Sequence, residues 1–407
     1  MGCKIEIMTT QTQAVRTYEH LHFAEYLDGG IEEIGFFDLE ALKTGLFLNH
    51  PVKKNTLNFP IQKKNKIPKK QIAKTEKDWL LSNYSYLCQQ LLGHQVAHIE
   101  YPGGSYRTSC QLILENGQTL IATRRSTPVR SRYESLILQR LEKHNAPIPQ
   151  HYAYNGLVLL QEDIQGIRLS EALENATEKQ YESYMHSALN ALSEIHQIAD
   201  KEGLDHAVPI IGCERDWLIA LLDRTAIIGN HLHIPCPSVP VAQMFDLLLL
   251  LKPRFIKWDA RPGNAILCND GNVKWFDWEH CCARNRIDDI AWLLCDDSVP
   301  DYPETEERLI EAHLHAFADE RNIDEAFAYL NVFGVHHCCV RLARLLDEKR
   351  NRTWHDVDIN IKHGQSGLAL KESIRLCKRA SRWSRKNEMT AVLGDWFLEI
   401  AEYLKRI

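Results

Sequence analysis

The fold is decided by the stretch Phe255-Ile256-Lys257-Trp258-Asp259-Ala260-Arg261-Pro262-Gly263-Asn264, followed shortly by Phe276-Asp277-Trp278-Glu279. Asp259 is followed by Asn264 five residues later, and Asp277 comes thirteen residues after Asn264. Two apolar runs, 265–268 and 273–276, flank the turn sequence at 269–272, which predicts a β-hairpin. Because the two strands of a hairpin return to nearly the same place, we expect Asn264 and Asp277 at one edge of a cleft.

These three side chains are of the kinds that phosphoryl transfer needs. A carboxylate must orient the attacking hydroxyl and accept its proton, and we assign this catalytic role to Asp259. Mg²⁺ prefers oxygen ligands and keeps several waters, so the Asn264 amide oxygen and the Asp277 carboxylate suffice as metal ligands from the protein. Asp259 and Asn264 alone would equally fit a loop in which they cap turns. Asp277 at this spacing across a hairpin favours the functional interpretation.

The same residues resemble the aminoglycoside phosphotransferase and choline kinase superfamily, the small-molecule branch of the protein-kinase fold. That family carries H-x-D-x-x-x-x-N, a hairpin and D-[FW]-[GE], and Asp277-Trp278-Glu279 is similar to its small-molecule form. Asp289-Ile290-Ala291 resembles the family's D-[LI]-A helix start, whose aspartate is a structural brace for the catalytic loop. The resemblance implies an α+β, protein-kinase-like two-lobe fold, the cofactors ATP and Mg²⁺, and a small-molecule hydroxyl acceptor.

The β-rich segment before residue 165 contains the residues that, by this resemblance, bind the nucleotide. Ile121-Ala122-Thr123-Arg124 resembles the V-A-I-K strand, so Arg124 is expected to neutralise the α- and β-phosphates. Glu134, on the next helix, is the carboxylate expected to pair with it. A register shift of one residue would give the phosphate contact to Arg125, and a surface position for Arg124 is the competing interpretation.

Two further nucleotide contacts follow from the same resemblance. Gly103, Gly104 and Ser105 resemble the phosphate-covering loop, where glycine lets the backbone approach phosphate oxygens closely, although an ordinary turn fits them as well. The segment 159–166 is similar to the interlobe hinge, in which the backbones of Glu162 and Ile164 would bond the adenine edge.

Two departures from the family pattern keep an alternative function open. Lys257 stands where the family has histidine, and Arg124 stands where it has lysine. Arginine presents a planar fork in place of a compact ammonium, so this exchange is not neutral. A pseudokinase that only binds nucleotide is therefore the alternative. A protein kinase is disfavoured, because the residues between Asp277 and Asp289 are too few for an activation segment.

Three regions are predicted along the chain. Residues 1–78 form an N-terminal extension with a lysine-rich linker, 79–165 a β-rich N-lobe, and 166–407 a helical C-lobe. Within the C-lobe, the hairpin after Asn264 is the only β structure that we predict. Helical periodicity predicts helices over Glu178–Ile198, Val241–Leu251, Asp301–Tyr329, Val332–Arg350, Leu370–Ser381 and Met389–Ile407.

The composition argues against several other classes of protein. A net charge of −6 gives no reason to expect nucleic-acid binding. No apolar run is long enough to span a bilayer, so we expect a protein located in the cytoplasm; nothing in the sequence indicates its oligomeric state. The twelve cysteines contain no C-x-x-C pair, which argues against a zinc ribbon or a redox motif. His336-His337-Cys338-Cys339 is expected to be a semi-buried helix face, because adjacent helical residues point about 100° apart.

An acidic segment in the C-lobe is relevant to the identity of the acceptor substrate. It comprises Asp296, Asp297, Asp301, Glu304, Glu306 and Glu307. It could attract a cationic acceptor, but a solvated loop and helix start is the favoured interpretation, since acidic residues are stabilising at a helix N-terminus. The tryptophans at 292, 354, 383 and 396 could stack on a sugar or an amine, although core positions explain them equally. Sugars, amino sugars, amino alcohols and aminoglycosides all remain open.

Overall fold

A computed structural model describes residues 82, 84–102, 109–125, 128–349 and 370–406. The chain divides into two compact units, Met1–Tyr86 and Leu87–Ile407. In the first unit, residues 82 and 84–86 are helical. The elements below belong to the second unit. The predicted extension 1–78 and the predicted phosphate loop at Gly103, Gly104 and Ser105 lie outside the described residues.

The N-lobe is built on one antiparallel sheet with the strand order β1-β2-β3-β5-β4. Side chains alternate between the core and the outer face along β2, as expected for a half-buried strand. Gly117 (φ 84°) follows Asn116 in the β2–β3 turn, where a left-handed backbone is required. The strands are β1 Val96–Glu100, β2 Ser109–Leu114, β3 Thr119–Thr123, β4 His151–Tyr154 and β5 Leu159–Glu162.

One helix, α1 (Pro128–Glu142), follows β3 and packs against β4 and the first long helix of the C-lobe. A short π-helical segment, Cys88–Leu92, precedes β1. The strand predictions at 109–114 and 119–123 are confirmed by β2 and β3. Because these strands combine alternating burial with an Asn-Gly turn, their local sequence was sufficient to locate them.

The C-lobe is mainly helical. Its first long helix, α3, begins with a capping box between Thr177 and Gln180 and ends at Gly203 (φ 60°). The helices are α2 Leu169–Glu174, α3 Glu178–Glu202, α4 Arg215–Leu222, α5 Arg224–Leu232, α6 Val241–Leu248, α7 Ile287–Leu294, α8 Pro303–Phe317, α9 Ile323–Lys349, α10 Leu370–Ser384 and α11 Leu393–Leu404.

Two small sheets lie between these helices. One has the order β6-β8-β9 and the other pairs β10 with β7. Their strands are β6 Gly166–Arg168, β7 Arg254–Ile256, β8 Ala265–Cys268, β9 Val273–Trp275 and β10 Cys282–Arg284. The hairpin β8–β9 confirms the prediction at 265–276, but the prediction of no other β structure in the C-lobe was wrong. Strands of three residues are too short to show a period in sequence.

The predicted helix boundaries after residue 300 also need correction. The chain breaks between α8 and α9, where Asp319 adopts φ 52° and the Asn322 side chain accepts the Glu325 N–H. That N-cap contact starts a new helix well before Tyr329. From there α9 continues without interruption through the break that we had predicted near residue 330.

The architecture is the α+β, two-lobe arrangement that the sequence predicted. A β-rich lobe precedes a larger helical lobe, and a hairpin is inserted between the helices. No helix within the described ranges is both long enough and apolar enough to cross a bilayer.

Candidate active site

The loop after β7 is held at its start by Asp289, in the first turn of α7. The Asp289 carboxylate is fully buried and accepts the backbone N–H groups of Lys257 (2.8 Å) and Trp258 (2.9 Å) and His196 Nε2 (2.9 Å). Trp258 and Asp259 have φ of 48° and 49°, a left-handed conformation that is costly for residues other than glycine. The contacts made by Asp289 support its predicted role as a brace, since they hold this strained backbone in place.

The carboxylate of Asp259 is fixed from both sides. Arg261 Nε donates to its Oδ1 and Asn264 Nδ2 donates to its Oδ2, each at 2.7 Å. The Asp259 side chain keeps 18% of its surface exposed. Each carboxylate oxygen can accept more than one hydrogen bond, so both retain acceptor capacity. Asp259 therefore presents an oriented and partly exposed carboxylate.

Asn264 connects this carboxylate to the hairpin. Its amide nitrogen donates to the Asp259 side chain and to the Asp259 carbonyl oxygen (3.0 Å), which leaves its amide oxygen for another partner. Its own carbonyl accepts the Phe276 N–H at 3.0 Å, and Asp277 follows directly. The structure thus brings Asp259, Asn264 and Asp277 to the open end of the hairpin β8–β9.

Asp277 is the charged member of the predicted metal pair. Burial raises the pKa of Asp277, but Arg125 and then Lys257 outweigh this effect and lower it to about 2. Its Oδ1 accepts Arg125 Nη2 at 2.7 Å. The carboxylate is therefore ionised at neutral pH and has acceptor capacity left. An anionic carboxylate and an amide oxygen that has no hydrogen-bond partner among the described residues are a donor set that suits Mg²⁺.

The arginine that pairs with Glu134 is Arg125. The Glu134 carboxylate is fully buried and receives Arg125 Nε (2.7 Å) and Nη2 (2.6 Å) in a bidentate pair. Arg125 also contacts Asp277 and Glu279. The predicted pairing of Glu134 with Arg124 is corrected to the neighbouring residue. Strand β3 ends at Thr123, so the alternation of side chains along the strand does not extend to Arg124.

Glu134 also contacts the metal segment directly, because its Oε1 accepts the Trp278 N–H at 3.0 Å. This hydrogen bond links α1 to the residue after Asp277. Arg125 forms a second link, because it pairs with both Glu134 and Asp277. Glu134 is the carboxylate that the resemblance predicted to pair with the phosphate-binding residue of β3. Its full burial distinguishes it from the exposed glutamates that are common on helices.

The predicted hinge residues lie at the end of β5. Glu162 pairs with Leu120 of β3, donates its backbone N–H to the Gln150 carbonyl (2.8 Å), and bonds Lys274 Nζ through its side chain. Its N–H is therefore committed, and only its carbonyl could contact an adenine ring. Ile164 lies in the three-residue connection between β5 and β6.

Lys257, the departure from the family pattern, is completely buried. Its Nζ donates to the Asp277 carbonyl oxygen (3.0 Å) and lies 5.7 Å and 5.1 Å from the ring centres of Trp275 and Trp278. Burial lowers the pKa of Lys257, while Asp259, Asp277 and Asp289 act in the opposite direction. The sequence indicated only that lysine replaces the family's histidine at this position. The contact to Asp277 could not be predicted from it.

Half of the acidic segment of the C-lobe is buried, contrary to the solvated interpretation that we favoured, whereas Glu304 and Glu307 are exposed near the start of α8 in agreement with it. Asp296, Asp297 and Glu306 are at most 7% exposed. Arg341 pairs with Asp296 and Asp297, and Arg379 pairs with Glu306. The reason is that α9 and α10, distant in sequence, pack their arginines against this segment.

The run His336-His337-Cys338-Cys339 lies within α9, as predicted, but all four side chains are buried, so the helix is buried around most of its circumference here and not on one face only. Among the residues that the structure describes, no group of three or more His, Cys, Asp or Glu side chains is arranged to hold a metal. The predicted metal ligands Asn264 and Asp277 do not form such a group, because they are only two residues and asparagine is not among these four residue types.

The model of the phosphotransferase enzyme family matches residues 99–327. No curated protein matches the sequence.

Solved structures with similar chains share little sequence. The amicoumacin kinase hAmiN is 15% identical (80% of this chain and 98% of that chain covered, TM-score 0.47). An aminoglycoside phosphotransferase from Alicyclobacillus acidocaldarius is 11% identical (77% and 93%, TM-score 0.46). The choline kinase LicA from Streptococcus pneumoniae is 12% identical (76% and 98%, TM-score 0.44).

Proposed function

The chain belongs to the phosphotransferase enzyme family, and on that premise we propose that it transfers the γ-phosphoryl group of ATP, with Mg²⁺, to a hydroxyl group of a small molecule. The observation that carries the proposal is the position of Asn264. Its side chain bonds Asp259 and its backbone bonds Phe276, so a candidate base and two candidate metal ligands occupy one end of the hairpin.

Asp259 acts on the acceptor. Arg261 and Asn264 hold its two oxygens in a fixed direction, so the carboxylate can accept a hydrogen bond from a substrate hydroxyl without first reorganising. As that hydroxyl attacks phosphorus, its proton passes to Asp259. The strained backbone at Trp258 and Asp259, held by Asp289, keeps this carboxylate in place.

Asp277 and Asn264 are the residues that would hold Mg²⁺. When bound, Mg²⁺ neutralises charge on the phosphate oxygens. The low pKa of Asp277 keeps this ligand anionic at any pH near neutrality. Arg125 lies beside Asp277, and we assign it to the nucleotide phosphates. Within the described residues four of its five N–H groups donate to Glu134, Asp277 and Glu279, which leaves one N–H of Nη1 for a phosphate oxygen. Gly103, Gly104 and Ser105 remain the proposed phosphate loop, and the carbonyl of Glu162 and the backbone of Ile164 the proposed adenine contacts.

The alternative function is a pseudokinase that only binds nucleotide. It was suggested by two departures from the family pattern, Lys257 and Arg124. Glu134 has a bidentate arginine partner in Arg125, and Lys257 supports the segment that carries Asp277. Neither departure from the family pattern therefore removes a group that the reaction needs.

The experiment separates binding from chemistry. ATP should raise the melting temperature of the purified protein more with Mg²⁺ than without it, because a ligand stabilises the state that it binds. ADP formation is then measured against a panel of hydroxyl acceptors. Asp259→Asn should keep the Mg²⁺-dependent shift and lose turnover by a factor on the order of 10²–10⁴.

Asp277→Ala should lose the Mg²⁺-dependent part of the shift. Asp246→Asn, which changes an exposed aspartate of α6, is the matched control and should leave both measurements unchanged. Full turnover in Asp259→Asn would refute the assigned base. A melting temperature that responds to ATP equally with and without Mg²⁺ would refute the metal site.

A further inference from the structure

Arg168 lies at the junction between the predicted hinge and the hairpin that carries the candidate metal ligands. It is the last residue of β6 and directly precedes α2. β6 pairs with β8, and Arg168 lies opposite Ile266. At Gly166 a Cβ atom would lie 2.2 Å from the Leu267 carbonyl oxygen, so glycine allows β6 to approach β8 this closely. The main chain of Arg168 is therefore held against the hairpin, although the residue is exposed.

The Arg168 side chain contacts both sides of the open end of this hairpin. Its Nη1 donates to the Gly263 carbonyl oxygen at 2.6 Å, and its Cζ lies 5.3 Å from the ring centre of Phe276. At this distance the face of an aromatic ring attracts a cation. Gly263 directly precedes Asn264, and Phe276 directly precedes Asp277. One side chain thus contacts the residue before each candidate metal ligand.

The two candidate ligands lie where the regular pairing of the hairpin has ended. The last strand pair before Asn264 and Asp277 is Ala265 with Trp275. Phe276 donates one further backbone hydrogen bond to Asn264, and the chain then turns at Asp277, whose φ is 64°. Such a left-handed conformation is uncommon for residues other than glycine. Strand pairing therefore does not fix the two ligands, and neighbouring side chains have to set their separation.

We infer that Arg168 is a positioning residue for the metal site. By holding Gly263 and Phe276, it keeps the Asn264 amide oxygen and the Asp277 carboxylate at the separation that Mg²⁺ requires. Because Mg²⁺ demands near-ideal octahedral geometry, a small displacement of either ligand weakens its binding. The inference rests on the proposed function and extends it to a residue of β6 that the mechanism above does not use.

The test measures the affinity for ATP by isothermal titration of the full chain, with and without Mg²⁺. Arg168→Met removes the guanidinium and keeps a long unbranched side chain. With Mg²⁺, the affinity of this variant should fall about 10- to 100-fold, as is typical when a residue that orients a metal ligand is lost. Without Mg²⁺ it should be unchanged. Arg168→Lys keeps a donor and a positive charge, so its affinity should lie between those of Arg168→Met and the wild type.

Arg215 provides a matched control. It is exposed at the start of α4, and its Cζ also lies 5.3 Å from the ring centre of a phenylalanine, Phe245. Arg215→Met therefore removes the same kind of contact without touching the hairpin. It should bind ATP like the wild type in both conditions.

Phe276→Leu tests whether Arg168 acts through the aromatic ring. Leucine keeps an apolar side chain and the backbone N–H that bonds Asn264. Because Arg168→Met and Phe276→Leu remove the same contact, their losses of Mg²⁺-dependent affinity should combine to less than their product in the double variant. Losses that multiply fully would overturn the inference, since Arg168 would then act without Phe276.

The remaining outcomes separate this role from its competitors. An equal loss of ATP affinity with and without Mg²⁺ in Arg168→Met would overturn the inference, because it would indicate a direct contact with the nucleotide. Unchanged affinity in both conditions would also overturn it. Denaturant unfolding of Arg168→Met should match the wild type, and a parallel loss of stability would make the residue merely structural. If the wild type itself binds ATP no better with Mg²⁺ than without it, the phosphotransferase proposal fails.

Discussion

The buried ammonium of Lys257 donates to the backbone carbonyl oxygen of Asp277 at 3.0 Å, and this contact joins the loop of the candidate base to the segment of the candidate metal ligand. Asp277 has φ of 64°, a left-handed backbone conformation that is uncommon for residues other than glycine. Lys257 is held at its other end, because its backbone N–H donates to Asp289. The side chain therefore bridges two segments that are twenty residues apart in sequence.

From this contact we predict that Lys257→Met weakens the binding of ATP with Mg²⁺. Residues that orient a metal ligand typically contribute about 10- to 100-fold to metal affinity. Isothermal titration with ATP, in the presence and absence of Mg²⁺, should show a loss confined to the Mg²⁺ condition. Lys252→Met, which changes an exposed lysine, is the matched control. Unchanged Mg²⁺ dependence in Lys257→Met would remove the positioning role from Lys257.

Arg125 and Arg124 provide a matched pair of variants. Arg125→Met leaves Glu134 buried without its bidentate partner, and breaking such a pair costs about 3–5 kcal/mol in the free energy of unfolding. Denaturant unfolding should show this loss for Arg125→Met and a much smaller one for Arg124→Met. ATP affinity should fall in the same order. The opposite order would restore the original assignment to Arg124.

The stability of the protein should fall between pH 7 and pH 5 because of His336. Burial lowers the pKa of His336 to about 4, below the value of about 6.5 expected in the unfolded chain. The unfolded state therefore binds the proton first. The stabilisation is present above pH 6.5 and is lost as the pH falls towards 4.

At pH 5 the loss attributable to His336 is about 2 kcal/mol relative to pH 7. Urea unfolding of the wild type and of His336→Leu at both pH values measures it, since leucine removes the titrating group from a buried position. The difference between the two pH values should shrink by about this amount in the variant. An identical pH dependence in both proteins would contradict the assignment.

Gly334 permits the close packing of α9 on α10. A Cβ atom at this position would lie 2.3 Å from Cζ3 of Trp383, a ring that is completely buried. Gly334→Ala should therefore lower the free energy of unfolding by about 1–3 kcal/mol through overpacking. At Gly263 a Cβ would meet nothing within 4 Å, so Gly263→Ala should change the stability much less. Equal stability of the two variants would show that the Trp383 ring can move aside.

Structural features that depend on residues close together in the chain could be predicted from the sequence. The strands β2 and β3 follow from alternating side chains and an Asn-Gly turn, and the hairpin β8–β9 from its turn residues. The spacing of Asp259, Asn264 and Asp277 places them together because a hairpin reverses the chain over a few residues. The three-residue strands β6, β7 and β10 could not be predicted, because their pairing partners lie elsewhere in the chain.

The sequence by itself therefore determined the fold class and the three candidate groups at the end of the hairpin. Only the tertiary structure decided that Arg125, and not Arg124, faces Glu134 and Asp277, since this depends on where β3 ends and on how the chain turns into α1. It also decided that Lys257 supports Asp277, and that Asp296 and Asp297 are buried against Arg341. In each case the deciding contact joins residues distant in sequence, and packing of the elements, not local preference, determines which side chains meet.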